Sequence, residues 1–218
     1  DGGRCKHLIP PRLKPGVSRT DRTRGRCSRE SMEKRAIDLH AIGEKLEFND
    51  ARERTGGQRS EGILTLGPGN EGPPAHIHTR QVEGFEVLSG TLILVAGGKS
   101  VTVRTGESFL VPAGEPHTFR NGDKATPVVA KFWYEPALNI EWMLQSLGEW
   151  AMDRGGDWKK APLLPTAYVM FILRREYRVA GMPSWAYHVL LGSLAAVARI
   201  TGQAKRVKRP LTDSGTAG

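Results

Sequence analysis

The stretch PAHIHTRQVEGFEVLSG, residues 74–90, sets two imidazoles one residue apart and a carboxylate shortly after them, at His76, His78 and Glu83. In an extended chain alternate side chains share a face, so His76 and His78 project together and Ile77 points the other way. Glu83 reaches the same place if the chain bends at TRQ and returns as the next strand. A second stretch, GESFLVPAGEPHTFRN, residues 106–121, brings His117 to the start of a strand behind a Pro112-x-Gly114 turn. Three imidazoles and one carboxylate at one point suit a divalent transition ion (Fe, Mn, Ni, Cu, Co or Zn) and are too rich in nitrogen for Mg or Ca. Taken singly, a strand histidine is more often a hydrogen-bonding framework residue and a loop glutamate is more often solvated. The weight lies in the four together.

Three neutral histidines and one glutamate leave a divalent ion one net positive charge, which favours an anionic ligand. If the ion is six-coordinate, two positions remain for water or substrate. Such a site polarises a small oxygenated, anionic or enolisable molecule as a Lewis acid and leaves it open to dioxygen or to proton transfer. No separate general base stands out: Glu86 lies on the face opposite Glu83 by alternation, and Glu107 and Glu115 sit in turns. Glu83 itself, or a bound hydroxide, is the candidate proton carrier. Strand parity sends Phe85 and Val87 inward with Glu83, and Phe119 inward with His117. Asn121 is expected to cap a turn rather than to touch substrate.

The elements that must position these residues are short strands. After AIDL and KLEF, RERTGGQRSEG reads as a loop, ILTL as a strand and GPGNEGPP as another loop. HIHT, GFEVLSG, TLILVA, KSVTVR, ESFLVP, HTFRN and PVVAKFWYE then follow at regular intervals. Gly97-Gly98 between TLILVA and KSVTVR supplies the positive φ angles of a tight hairpin. Repeated short strands with such punctuation, in a chain with 26 glycines and 14 prolines, predict an all-β sandwich or barrel. The pattern changes after Glu135-Pro136, where Ile140, Met143, Leu144, Leu147 and Ala151 recur at helical spacing. TAYVMFILRREYRV, residues 166–179, and SWAYHVLLGSLAAVARITG, residues 184–202, read as two more helices, the last with Ser184 as N-cap and Gly202 as its stop. The chain thus divides into a basic N-terminal arm or non-native extension over 1–31, a barrel over 32–136, a helical extension over 137–204 and a basic tail over 205–218.

Both signature blocks of the cupin superfamily are matched in order. The first, H-x-H-x4-E-x6-G, is met by His76, His78, Glu83 and Gly90, and the second, G-x5-P-x-G-x2-H-x3-N, by Gly106, Pro112, Gly114, His117 and Asn121. The glycine expected just upstream of the first block has its nearest counterparts at Gly69 and Gly72, neither at the usual spacing. With TGG, GPPAHIH and the helical region after residue 136, the chain resembles small single-domain bacterial cupins with a C-terminal extension. The resemblance implies a double-stranded β-helix, a jelly-roll barrel whose open end holds a metal at His76, His78, Glu83 and His117. It further implies a small-molecule substrate, dioxygenase-type oxidoreductase chemistry and pairing as a homodimer. Cupin-type isomerase or lyase chemistry, and non-catalytic binding or sensing of a small molecule, are the alternatives.

Charge narrows the partners. The formal charge is +9, but residues 1–31 hold nine Lys/Arg against Asp1, Asp21 and Glu30, so the rest of the chain carries only +3. The interior has no basic stripe interleaved with aromatics, which argues against nucleic acid. The only cysteines, Cys5 and Cys27, lie in the basic arm, which suits a reducing cytoplasmic setting. No secretory signal is visible, and regular patterning begins at Met32. The apolar run at 184–202 is expected to pack on the barrel or on a partner subunit, or, with the KRVKR cluster behind it, to touch an anionic membrane surface.

Overall fold

A computed structural model describes residues 36–208 together with 210 and 211. The N-terminal arm with Cys5, Cys27 and Met32, and the end of the basic tail, lie outside the described residues. The strands are β1 (Ala36–Leu39), β2 (Glu44–Phe48), β3 (Ser60–Leu66), β4 (His76–His78), β5 (Val82–Ser89), β6 (Thr91–Ala96), β7 (Lys99–Arg104), β8 (Ser108–Val111), β9 (His117–Asn121), β10 (Val128–Glu135) and β11 (Tyr177–Val179). The helices are α1 (Ala51–Arg54), α2 (Ile140–Met152), α3 (Leu163–Ile172) and α4 (Ser184–Ile200). Two antiparallel sheets face each other, one in the order β1-β2-β3-β10-β5-β8 and the other β11-β4-β9-β6-β7. This is the expected cupin jelly roll, carrying a helical extension at its C-terminal side.

Alternation builds the interior. Along β3, β9 and β10 every second residue is buried, so Leu64 and Leu66, Phe119, and Val128, Ala130 and Phe132 all turn inward. Phe85 and Val87 of β5 join them with no exposed surface, as parity required. Phe132 meets Phe48 edge-on at 5.3 Å between ring centroids, and Phe85 meets Phe119 at 5.0 Å. The β6–β7 hairpin turns through Gly97 (φ 56°) and Gly98 (φ 75°), directly between the paired residues Ala96 and Lys99. Asn121 does more than cap a turn. Its amide nitrogen donates to the carbonyls of Leu66, Gly67 and Thr126, and its oxygen accepts from the Asp123 amide at 2.8 Å, fastening the end of β3 to the β9–β10 connection.

The extension is bound to this frame at several points. Helix α2 lies on β1 so closely that a Cβ added at Gly148 would stand 2.6 Å from the Ile37 side chain. The Trp158 indole donates to Glu44 Oε1 of β2 at 3.0 Å. Buried Glu176 accepts from the Asn139 backbone amide at 3.1 Å and from its side-chain amide at 3.0 Å, clamping the start of α2 to the residue before β11. A small second core of Ala167, Tyr187 and Leu191 joins α3 to α4.

Three local expectations differ. Residues 166–179 are not one helix. The helix begins earlier, at Leu163, and ends at Ile172, and Tyr177–Val179 pair antiparallel with β4, Tyr177 opposite His78 and Val179 opposite His76. The open edge of β4 accounts for this, since the Thr79 amide donates to the Glu176 carbonyl and the Ala180 amide to the Ala75 carbonyl, each at 2.9 Å. The single turn α1 starts at Ala51 and runs into the loop RERTGGQRSEG, and β3 already starts within that loop at Ser60. Ser184 is the first residue of α4 rather than its cap; extended Pro183 holds that position, and the Ser184 hydroxyl accepts from Arg178 instead. Gly202 follows the helix end in the left-handed region at φ 73°.

Candidate metal centre

Four buried side chains from three strands meet between the sheets. His76 and His78 leave β4 on one side, Glu83 comes from β5 in the facing sheet, and His117 from β9 stands opposite His76 in register. Their ligand atoms all lie within 4.8 Å of one another. Glu83 Oε2 is the hub, 2.6 Å from His117 Nε2, 3.4 Å from His78 Nε2 and 3.9 Å from His76 Nε2. Two of the rings are aimed by backbone carbonyls: His76 Nδ1 lies 2.9 Å from the Pro74 oxygen, and His117 Nδ1 lies 2.9 Å from the Glu115 oxygen. At His76 such a bond places the proton on Nδ1 and turns Nε2, with its lone pair, toward the centre, whereas His117 Nε2 donates to Glu83 Oε2.

Burial and proximity set the charges. Burial alone would raise the Glu83 carboxyl, but its interactions with His78 and His117 outweigh that and hold it below the usual carboxylate range. Burial, reinforced by the neighbouring His78 ring, pushes His76 down to about 3 and so keeps it neutral. Burial acts in the same sense on His117, yet the bond to Glu83 prevails and raises it. An ionised carboxylate among imidazoles is the donor chemistry of a transition-metal site. The orphaned atoms fit that reading. Neither nitrogen of His78 nor Glu83 Oε1 has a hydrogen-bond partner, although buried polar atoms normally find one. A divalent ion among the four side chains would engage His78 and the second carboxylate oxygen together, so the residues present suit such a group.

Two tyrosines at this centre were not singled out by the sequence. The Tyr177 ring stacks on His76, centroids 5.3 Å apart and planes 25° apart, and meets His78 nearly edge-on at 5.4 Å. Tyr134 lies 5.1 Å from the His78 ring. Burial, with the nearby Glu83 charge behind it, raises the Tyr134 hydroxyl well above its usual range. Parity along β10 carries a signal for Tyr134, which shares a face with Phe132. No such signal exists for Tyr177, whose segment reads as helix. A surface hollow lined by Arg52, Glu53, Gly56, Gly57 and Leu138 lies elsewhere and holds none of the four clustered residues.

Comparison with known proteins agrees with the architecture. Residues 62–134 match the family model described as a cupin domain. Over 126 residues the chain is 32% identical to a Bacillus subtilis protein named quercetin 2,3-dioxygenase, which covers 58% of this chain and 33% of that protein. Over 70 residues it is 37% identical to a probable oxidoreductase of Hypocrea virens, covering 31% of this chain and 32% of that one. The chain therefore spans about a third of the length of each of these relatives. Among solved structures, a predicted oxalate decarboxylase from Thermotoga maritima aligns with a TM-score of 0.39 at 20% identity, covering 42% of this chain and 81% of that one.

Proposed function

With a cupin domain over residues 62–134 placing the chain in the cupin superfamily, we propose that it is a metal-dependent oxidoreductase of dioxygenase type acting on a small oxygenated, anionic or enolisable organic molecule. The observation that carries this reading is the convergence of His76, His78, Glu83 and His117 within 4.8 Å. The partial likeness to proteins named as a dioxygenase and an oxidoreductase supports the choice among cupin chemistries.

His76, His78, Glu83 and His117 would hold the ion, which when bound supplies Lewis acidity and a place for dioxygen beside the substrate. The chain's own residues do the rest. The Pro74 and Glu115 carbonyls fix the His76 and His117 rings, so their Nε2 atoms are aimed before any ligand arrives. Tyr134 lines the centre beside His78, its ring 5.1 Å from that imidazole. Phe85 and Phe119 pack ring to ring on the strands that carry Glu83 and His117, and keep water from the interior below them. The Glu83 carboxylate is the group suited to take a proton from an enolisable carbon. Tyr177 stacks on His76 and holds that ring from the side of β11.

Elemental analysis of protein purified without chelator or affinity nickel tests the site. Stoichiometric transition metal is expected in the parent chain and its loss in His76→Ala and in His117→Ala. Oxygen consumption with hydroxylated aromatic and enolisable acids then tests the reaction. Equal trace metal in all three proteins would remove the basis of the proposal. Turnover without oxygen uptake would move it to proton-transfer chemistry at Glu83.

A further inference from the structure

Helix α4 is apolar on two opposite sides. One side, carrying Tyr187, Leu191, Ala195 and Ala198, is buried, with Tyr187 and Leu191 against Ala167 of α3. On the other, Trp185, Val189 and Ile200 are 73%, 63% and 85% exposed. At 3.6 residues per turn these three fall on one stripe, widened by the exposed Leu190 and Val197, with Ser193 the one polar side chain among them. A helix on the surface of a globular protein normally turns charged or polar residues to that side. By contrast, Leu88 and Leu110 are the only large apolar side chains so exposed among the described residues of β1 to β10.

Charge identifies what covers the stripe. From Tyr177 to Thr212 the sequence has no Asp or Glu, while it has Arg178, Arg199, Lys205, Arg206, Lys208 and Arg209. Lys205 and Arg206 sit exposed in a single 3-10 turn, Gln203–Arg206, directly after the helix. We propose that α4 lies in the plane of an anionic lipid surface, with Trp185, Val189 and Ile200 at the headgroup–acyl boundary and Lys205 and Arg206 on lipid phosphates. A second copy docked on the same face would bring only the basic residues of α4 and its following turn to the contact, Lys208 being already paired with Glu149, whereas anionic lipid supplies the opposite sign. The helix has 17 residues, and no helix among the described residues is long and apolar enough to cross a membrane, so an in-plane seat is the arrangement that the stripe allows. The inference stands apart from the metal centre.

Flotation of the whole chain with vesicles tests it. The protein is expected to float with mixed phosphatidylcholine and phosphatidylglycerol and to stay behind with phosphatidylcholine alone. Lys205→Gln and Arg206→Gln are each expected to lower the partition coefficient about fivefold, the effect of roughly 1 kcal/mol per basic residue near such a surface. The double variant Trp185→Ser, Ile200→Ser is expected to lose binding while its thermal unfolding midpoint stays unchanged, because both side chains face outward. Brominated acyl chains are expected to quench fluorescence that Trp185→Phe removes. Absence of flotation with anionic vesicles, or binding that the double variant retains, would overturn the proposal. So would a dimer, seen by light scattering, that the double variant splits, since a second copy would then be the cover.

Discussion

Strand β10 and helix α4 are both dominated by apolar residues, and the molecule treats them in opposite ways. In β10 the inward side chains meet the other sheet, and the outward Trp133 is itself covered by the Arg59 guanidinium, 4.6 Å above its ring. In α4 one side meets α3, and the opposite side, also apolar, leaves Trp185, Val189 and Ile200 mostly exposed. The difference is geometric. A strand between two sheets needs only its inner face filled, and the facing sheet fills it. A lone neighbouring helix covers one stripe of a cylinder and leaves the rest. The barrel buries its apolar strand faces within the chain; the α3–α4 pair leaves one of its own exposed.

The sharpest way to break that contrast is truncation at matched aromatics. Phe132→Ala is expected to cost about 3–5 kcal/mol in chemical denaturation, since it empties a packed interior. Trp185→Ala is expected to stay within about 0.5 kcal/mol, as surface changes do. Equal losses would mean that α4 is covered in solution. Next in size is the Glu176 clamp: Glu176→Ala removes two hydrogen bonds between a buried carboxylate and Asn139, at about 3 kcal/mol. Its loss should appear as faster amide exchange in β11 and α3 while β6, β7 and β9 remain protected.

A smaller effect links the two regions through pH. Burial raises the Glu44 carboxyl to about 6, the hydrogen bond from Trp158 opposing it. With a folded value above the ordinary one, the stability tied to this proton is fully present below pH 4.5 and is lost as pH rises through about 6. Glu44→Gln keeps an acceptor for Trp158 and cannot ionise, so it should gain about 2 kcal/mol over the parent above that window and match it below. Urea midpoints measured across the window decide this. Smallest is Gly148→Ala. Crowding against Ile37 costs about 1–3 kcal/mol, and the helix gains about 1 kcal/mol from losing a glycine. A net loss of about 1 kcal/mol in the denaturation midpoint is expected, and a net gain would show that α2 can lift off β1.

The barrel and the four clustered side chains were legible because their signals are local. Alternation along HTFRN and PVVAKFWYE, the Gly97-Gly98 turn and the spacing from His76 to Glu83 each sit within a few residues. What the sequence left unseen depends on distant partners. Tyr177–Val179 is too short to display a two-residue period, and its pairing is decided by the open margin of β4, about a hundred residues earlier, so it passes for the tail of a helix. Tyr177 was missed with it. Asn121 reads as a turn residue from its neighbours alone, and its bonds to Leu66 and Gly67 come from far along the chain.

The seating of β11 on β4 has a practical outcome for anyone trimming this protein. A version stopped at the final barrel strand would uncover the outer backbone of the segment that carries two of the four clustered imidazoles. Bare sheet margins recruit strands from other molecules. The shortened form should therefore clump through the very rim of the four-residue cluster, and the C-terminal third has to travel with the barrel for that cluster to be studied in isolation.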